Sequence, residues 1–489
     1  MSSNSQIRHF FKNQTIFITG GSGFLGKVLL EKLLRECEEI KKIYVLMRSK
    51  KNKTPTQRFS ELFNYACFDV LKSKDENLLR KVFLINGDCL QPRLGLSEQD
   101  ANILVQEVTC VIHAAANVKF DQPVKEVACN VRATRDLLEL AKKMTNLKVF
   151  VFVSTAYSNC VHADIKEQFY EPPMKAKQLL QLVDALDDDT LKAITPQLLK
   201  TWPNTYVFGK SIAEDLINTI GKDLPITVVR PAIIISSISE PRIGWHDNFY
   251  GIIGVCMGTS LGIIRVINLK KNGIAPLVPV DYVSNCVLAA AWQRGTCDVT
   301  TIYNFVGHKN NQITWGRFIK NSEANYLECA LRKAVWHFSL TTVENKVWYK
   351  ICTFFLHTLP AYIADFVLVC LGKPALVVKN YGRLDRLLSA VLYFCTGSWN
   401  FEDHNVMELW NAMTDEDKTL FCFNMERVDH DIYIRNSVIG TRLYLFKETR
   451  ENSKRTKLKL KMFFVAHYTL LAFLWYILYK FVMFLIELF

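Results

Sequence analysis

Apolar, β-branched runs alternate with helix-period stretches along roughly the first three hundred residues. Thr15–Thr19, Lys42–Met47, Val82–Asn86, Cys110–His113, Val149–Val153 and 226–229 are short and nearly continuous in apolar character. Strands buried on both faces of a parallel sheet have that composition. Between them, 127–143 and 208–220 repeat apolar residues at helical spacing. The alternation predicts an α/β chain whose core is a doubly wound parallel sheet. After about Lys320 it stops and the pattern turns helical, so a smaller, mostly helical C-terminal domain is expected.

Two later stretches are apolar enough to meet lipid. Residues 462–479 carry no acid or base except His467, and Lys454, Arg455, Lys457, Lys459 and Lys461 precede them. A run of this length is predicted to be a transmembrane helix, with its basic flank on the cytosolic side. Residues 348–372 are as long but contain His357, Pro360 and Asp365. If they crossed once, with the N-terminal domain in the cytosol, the basic flank would fall on the wrong side. They are therefore read as a buried or interfacial element. The expected order is a nucleotide-binding domain over 1–325, a linker over 326–347, a helical domain over 348–452, and a basic flank with anchor over 453–489.

The net charge of +13 raises the question of nucleic acid. The basic residues gather in two short runs, 41–53 and 454–461, and no nucleic-acid motif accompanies them. Phosphorylated cofactors and an anionic membrane surface are the partners expected, not nucleic acid. Fourteen cysteines lie without a C-x-x-C pair or zinc-ligand spacing. That pattern predicts reduced thiols in a cytosol-facing chain and no metal site. The N-terminus has no apolar signal-peptide core. Nothing in the sequence fixes an oligomeric state.

Candidate chemistry begins where the first strand ends. Gly20, Gly23 and Gly26 are spaced G-x-x-G-x-x-G, with Phe24 and Leu25 opening the following helix. A strand, a glycine turn and a helix N-terminus form a pyrophosphate cradle. Arg48 ends the second strand, backed by Lys50 and Lys51. A guanidinium there suits the 2′-phosphate of NADP, where a carboxylate would suit the ribose of NAD. Asp88, after the third strand, could meet the adenine amine or simply serve a turn. Ala114, in a run of small residues after the fourth strand, lets backbone approach the cofactor. His113, in an apolar strand, is read as a core histidine.

Thr155 follows the fifth strand, and Tyr206 and Lys210 form a Y-x-x-x-K pair on one helical face. The ammonium is expected to draw the phenol pKa towards neutrality so that it can exchange a proton with a substrate oxygen. The Thr155 hydroxyl would hold the same oxygen. With Pro231 after the sixth strand, these features describe a Rossmann-type short-chain dehydrogenase of the extended form, chemistry that moves hydride.

At this point the chain resembles the fatty acyl-CoA reductases along nearly its whole length. The matching blocks are TGGSGFLGKVLLEKLL, GDCLQPRLGLSEQD, VKFDQPVKEVACNVRATRDLLELA, VFVSTAYSNC, PNTYVFGKSIAEDL and ISEPRIGWHDNFYG. Beyond them, HTLPAYIAD and DHDIYIRNSVIGTRLYLFKE resemble the family's C-terminal male sterility domain. The resemblance implies reduction of long-chain acyl-CoA to a primary alcohol by two NADPH through an aldehyde. The alternative is a membrane-bound dehydrogenase acting on a sterol or other lipid alcohol or ketone. The resemblance and the apolar tail together imply an endoplasmic reticulum membrane, with a peroxisomal membrane as the alternative. Ala133, Gly209, Asn424 and His430 depart from the residues usual in the family, and none belongs to the Thr155, Tyr206 and Lys210 set.

Overall fold

The computed structural model describes residues 4–120, 122–298, 301–329, 331–450 and 453–488. Its sheet strands are β1 (Thr15–Thr19), β2 (Lys42–Met47), β3 (Val82–Asn86), β4 (Cys110–His113), β5 (Val149–Val153), β6 (Ile226–Pro231) and β7 (Ile302–Phe305). All pair in parallel, in the order β7-β6-β5-β4-β1-β2-β3. Five of the six expected strands keep their bounds. The sixth runs two residues further, through Arg230 to Pro231, and β7 is a strand the pattern had not marked.

The sheet works as a platform because its strands end together. Thr19 pairs with Leu46 and with His113, His113 with Phe152, and Val153 with Val229. One edge therefore presents the residues after β1, β2, β4, β5 and β6. Strand order reverses between β1 and β4, and a doubly wound sheet binds ligands at such a switch point. Every residue of β1 and β5 is buried, so the edge rests on a closed apolar layer.

Helix α1 (Phe24–Glu36) follows the glycine turn, α2 (Val124–Ala141) follows β4, and α3 (Thr205–Thr219) precedes β6. Helix α3 starts three residues before the stretch expected from periodicity, because the Asn204 side chain accepts from the Val207 N–H and caps it. Tyr206 thus lies in its first turn. A Cβ on Gly209 would sit 2.2 Å from Val127 Cγ1, so glycine at this position lets α2 and α3 pack closely.

The chain forms two compact units, each assembled from three stretches. One comprises the residues up to Asp247, Ile274–Ile313 and Gly397–Tyr433, and the other comprises Asn248–Gly273, Thr314–Thr396 and Ile434 onward. The linear boundaries expected at 325 and 347 do not coincide with this division, because 397–433 returns to the sheet-bearing unit. The boundary expected at 452 falls outside the described residues. His430 and Asn424 belong to that returning stretch: His430 Nε2 meets the Asn311 carbonyl at 2.9 Å, and Asn424 accepts from the Glu426 N–H.

The second unit is mainly helical, with one short parallel pair, Val266–Asn268 against Thr341–Val343. Two of its helical stretches, Lys346–Cys370 and Lys454–Phe484, are long and apolar enough to cross a membrane. The first is a continuous run with a π turn at Phe354–Thr358. Two of its polar residues turn inward: His357 accepts from the Arg265 N–H at 2.9 Å, and Asp365 accepts from the Val377 and Val378 N–H groups. Trp348, Phe355, Tyr362 and Phe366 are exposed on the outside.

Candidate active site

The glycine turn is built as a cradle. Gly20 has a φ of +79°, and the Gly23 N–H donates to its carbonyl at 2.8 Å. A Cβ on Gly20 would lie 2.7 Å from Ala115 N and 2.8 Å from Ala114 O, and one on Gly26 would lie 2.2 Å from Gly20 O. No side chain fits at either place. The cap of α1 is Gly23, which offers no side-chain bond, so the N–H groups of Phe24, Leu25 and Gly26 open the helix towards the turn. With the helix dipole they suit a pyrophosphate.

Beside this cradle the structure gathers cations. Arg48 follows β2, and Arg58 donates to the Arg48 carbonyl at 2.6 Å and to Ser22 Oγ at 3.0 Å. Burial, then the charges of Arg48, Arg58, Lys51 and Lys119, hold the Lys50 ammonium below its ordinary pKa. Burial and Arg48 do the same to Arg58. Cations that repel one another next to a dinucleotide cradle are relieved by a phosphate dianion. Asp88 accepts from the Leu90 N–H at 2.9 Å and pairs with Arg48 at 3.4 Å, contacts that brace the turn and hold the arginine at the same edge. The donor set fits an anionic nicotinamide dinucleotide.

The candidate catalytic residues lie where α3 is tied to the end of β5. Lys210 Nζ donates to the Val153 carbonyl at 2.7 Å, tying the helix to the strand end that carries Thr155. Tyr206 lies one turn earlier on the same face, with the Phe120 ring 5.9 Å away. Thr155 is buried, and its hydroxyl accepts from the Tyr157 N–H at 3.3 Å. The neighbouring Ser154 hydroxyl is held by Glu214 instead. The Ala156 N–H donates to the Pro231 carbonyl, which joins the ends of β5 and β6.

The electrostatics correct one expectation. Burial pushes the Tyr206 phenol well above its ordinary pKa and not towards neutrality. Burial also lowers Lys210 to about 8, an effect partly offset by the Glu214 carboxylate. The lysine charge is directed at a backbone carbonyl, and the buried phenol keeps its proton. His113 behaves as the core histidine expected. Its ring bridges Thr19 and Thr134 hydroxyls, and burial, followed by the Lys210 charge, lowers it to about 3.

Sequence reasoning missed the base on which this site stands. Glu214, one turn beyond Lys210, accepts from Ser154, Ser158, Asn159 and Arg230. Arg230 is fully buried and also donates to the carbonyls of Lys166 and Gln168. The signal was present in the i, i+4, i+8 column of Tyr206, Lys210 and Glu214. Arg58 was missed too, since only the folded chain brings its helix back to Ser22. Among the described residues no group of three or more His, Cys, Asp or Glu side chains could hold a metal ion.

Comparisons with known proteins agree with this geometry. Two family models, both described as male sterility protein, match residues 18–287, as an NAD-binding domain, and 356–448. The chain is 36% identical to a Drosophila melanogaster protein named fatty acyl-CoA reductase wat, over 96% of this chain and 92% of that one. It is 36% identical to human fatty acyl-CoA reductase 1, over 90% of this chain and 86% of that one. Among solved structures it is similar to the terminal reductase domain of the myxalamid biosynthetic pathway, with a TM-score of 0.59 at 21% identity. That match covers 90% of this chain and 93% of the other. A reductase domain of a Mycobacterium tuberculosis non-ribosomal peptide synthetase gives a TM-score of 0.55 at 15% identity, covering 90% and 95%. With a nicotinamide-binding fold and relatives matched nearly end to end, the chain belongs to the fatty acyl-CoA reductase family of oxidoreductases.

Proposed function

We propose that this protein reduces long-chain fatty acyl-CoA to the primary alcohol and free CoA, using NADPH, with the aldehyde held between two reductions in one site. The observation that carries the reading is the convergence of Thr155, Tyr206 and Lys210 on the sheet edge that also bears the glycine cradle. Gly20, Gly23, Phe24, Leu25 and Gly26 hold the pyrophosphate, Arg48 the 2′-phosphate, Asp88 the adenine side, and Ala114, Lys210 and Pro231 the nicotinamide half. The bound cofactor supplies hydride.

The protein's own part is to manage the oxygen and its proton. Thr155 and Tyr206 donate to the thioester oxygen as negative charge develops there, which is the work of an oxyanion site. Tyr206 then gives its proton to that oxygen. Collapse of the resulting hemithioacetal releases CoA and leaves an aldehyde facing the same two hydroxyls. In the second reduction Tyr206 protonates the alkoxide, and Lys210 keeps the phenol supplied. Because Glu214 holds Ser154, Thr155→Ala is expected to slow both steps far more than Ser154→Ala. Incubating membranes that carry the protein with NADPH and labelled acyl-CoA tests the reading. Alcohol and free CoA are expected, and an untouched thioester would overturn it.

Arg48→Ala is expected to weaken NADPH binding at least about tenfold while NADH changes little, since the guanidinium fork meets a phosphate dianion and not a bare ribose. Titration of both cofactors checks this. Equal losses would make Arg48 part of a general basic surface.

The site is proposed to work at a cytosol-facing membrane, of the endoplasmic reticulum or of peroxisomes. In this reading Lys454–Leu488 is the anchor, and Lys346–Cys370 lies along the lipid interface with its exposed aromatic face outward. About twenty apolar positions in the tail each favour the bilayer by a few tenths of a kcal/mol. A chain ending at residue 450 should therefore change from an integral protein to one that carbonate extracts. A truncated chain that resists carbonate would mean that Lys346–Cys370 spans.

A further inference from the structure

Next to Tyr206 the structure buries polar groups that its own residues leave unsatisfied. Gln122 precedes α2 and is only 5% exposed, yet both its Nε2 and its Oε1 lack a hydrogen-bond partner among the described residues. No other described residue has both side-chain polar atoms in that state. Gln122 is fixed to the catalytic helix, because its backbone carbonyl accepts from Thr205 Oγ1 at 2.9 Å. Asn204, adjoining Thr205, is 7% exposed. Its Oδ1 caps α3 through Val207, while its Nδ2 is buried without a partner. Two carboxamides with open donor and acceptor positions thus flank the first turn of α3, where Tyr206 stands.

A buried amide without a partner is costly, and native structures rarely keep one that nothing satisfies. The open atoms identify what would satisfy them. The Gln122 side chain offers one acceptor and one donor in a single plane, the complement of a secondary amide, which offers N–H and C=O in the same way. Asn204 adds a further donor. A phosphate only accepts and would leave the Gln122 Oε1 unmet, so a neutral amide is the better match. The part of an acyl-CoA that reaches closest to the thioester is the pantetheine arm, which contains two secondary amides and no charge.

We infer that Gln122 and Asn204 form an amide-binding subsite that holds the pantetheine arm of the acyl-CoA and sets its thioester against Tyr206. The inference rests on the acyl-CoA reading above. It makes the two residues specificity determinants for the thiol half of the substrate and gives them no part in proton transfer.

The test is a series of thioesters with one acyl chain and different thiol halves. Gln122→Met keeps the side chain's length and removes both polar atoms. Asn204→Ser keeps a good helix cap and removes the donor. Each variant is expected to lose about tenfold in kcat/KM on the CoA ester and less than about twofold on the S-ethyl ester, which has no amide. Calorimetric titration with CoA alone should show Kd raised by the same factor. Melting temperature separates packing from recognition: Gln122→Met should melt no lower than the parent protein. Equal losses on both thioesters, or an unchanged CoA affinity, would overturn the subsite. A parent protein that binds CoA through Gln122 but reduces no thioester would sink the reductase reading and leave the subsite standing.

Discussion

Tyr206→Phe is expected to lower turnover at least about a hundredfold, the scale of losing a positioned general acid, while NADPH binding survives. The ring stays packed beside Phe120, and only the proton donor goes. Lys210→Ala should fall as far, since Nζ tethers α3, and with it Tyr206, to the Val153 carbonyl. The pH profile carries a sign. Burial sets Lys210 at about 8, so its ammonium is present below that value and is lost as pH rises through it. Reduction of a free long-chain aldehyde should therefore be level below about pH 8 and decline above it. A rate that climbs through the same range would mean that the neutral lysine is the working form. Near-normal turnover in Tyr206→Phe would remove the phenol from the mechanism.

Arg230→Met should destabilise the sheet-bearing unit by about 3–5 kcal/mol, the usual consequence of leaving one partner of a buried ion pair charged and alone. Glu214 is 3% exposed and Arg230 fully buried, so the carboxylate left behind would have only Ser154, Ser158 and Asn159 to satisfy it. The lost guanidinium would also release the carbonyls of Lys166 and Gln168. The double variant with Glu214→Gln should recover part of the loss, because the stranded charge is gone. Denaturant unfolding of the three proteins measures both effects. A loss below about 1 kcal/mol in the single variant would show that water reaches the carboxylate and that the pair contributes little.

The sheet was legible because its signal is local. Strands buried on both faces need unbroken apolar runs, and the glycines of the first turn are required by contacts within ten residues or by the facing end of β4. Tyr206 and Lys210 were legible through the helical period. The direction of the phenol's pKa was not, because it depends on how deeply the first turn of α3 is buried and on where the ammonium points. Arg58 and Gln122 belong to segments whose own patterns say only helix and loop, and they gain meaning from Ser22 and Thr205, which the fold brings to them. The return of 397–433 to the sheet-bearing unit is likewise a matter of tertiary pairing: Phe401 aligns with Ile165 in a two-residue parallel bridge that no periodicity announces.

In the proposed reaction one site reduces the same carbon twice, first as a thioester and then as an aldehyde. Supplying acyl-CoA with NADPH deuterated at both C4 positions, and reading the alcohol by mass spectrometry, tests it directly. A primary alcohol with two deuterium atoms on C1 is expected, with one CoA released per alcohol and no aldehyde caught by an external trapping amine. A singly labelled aldehyde accumulating in the trap, with no alcohol formed, would contradict it.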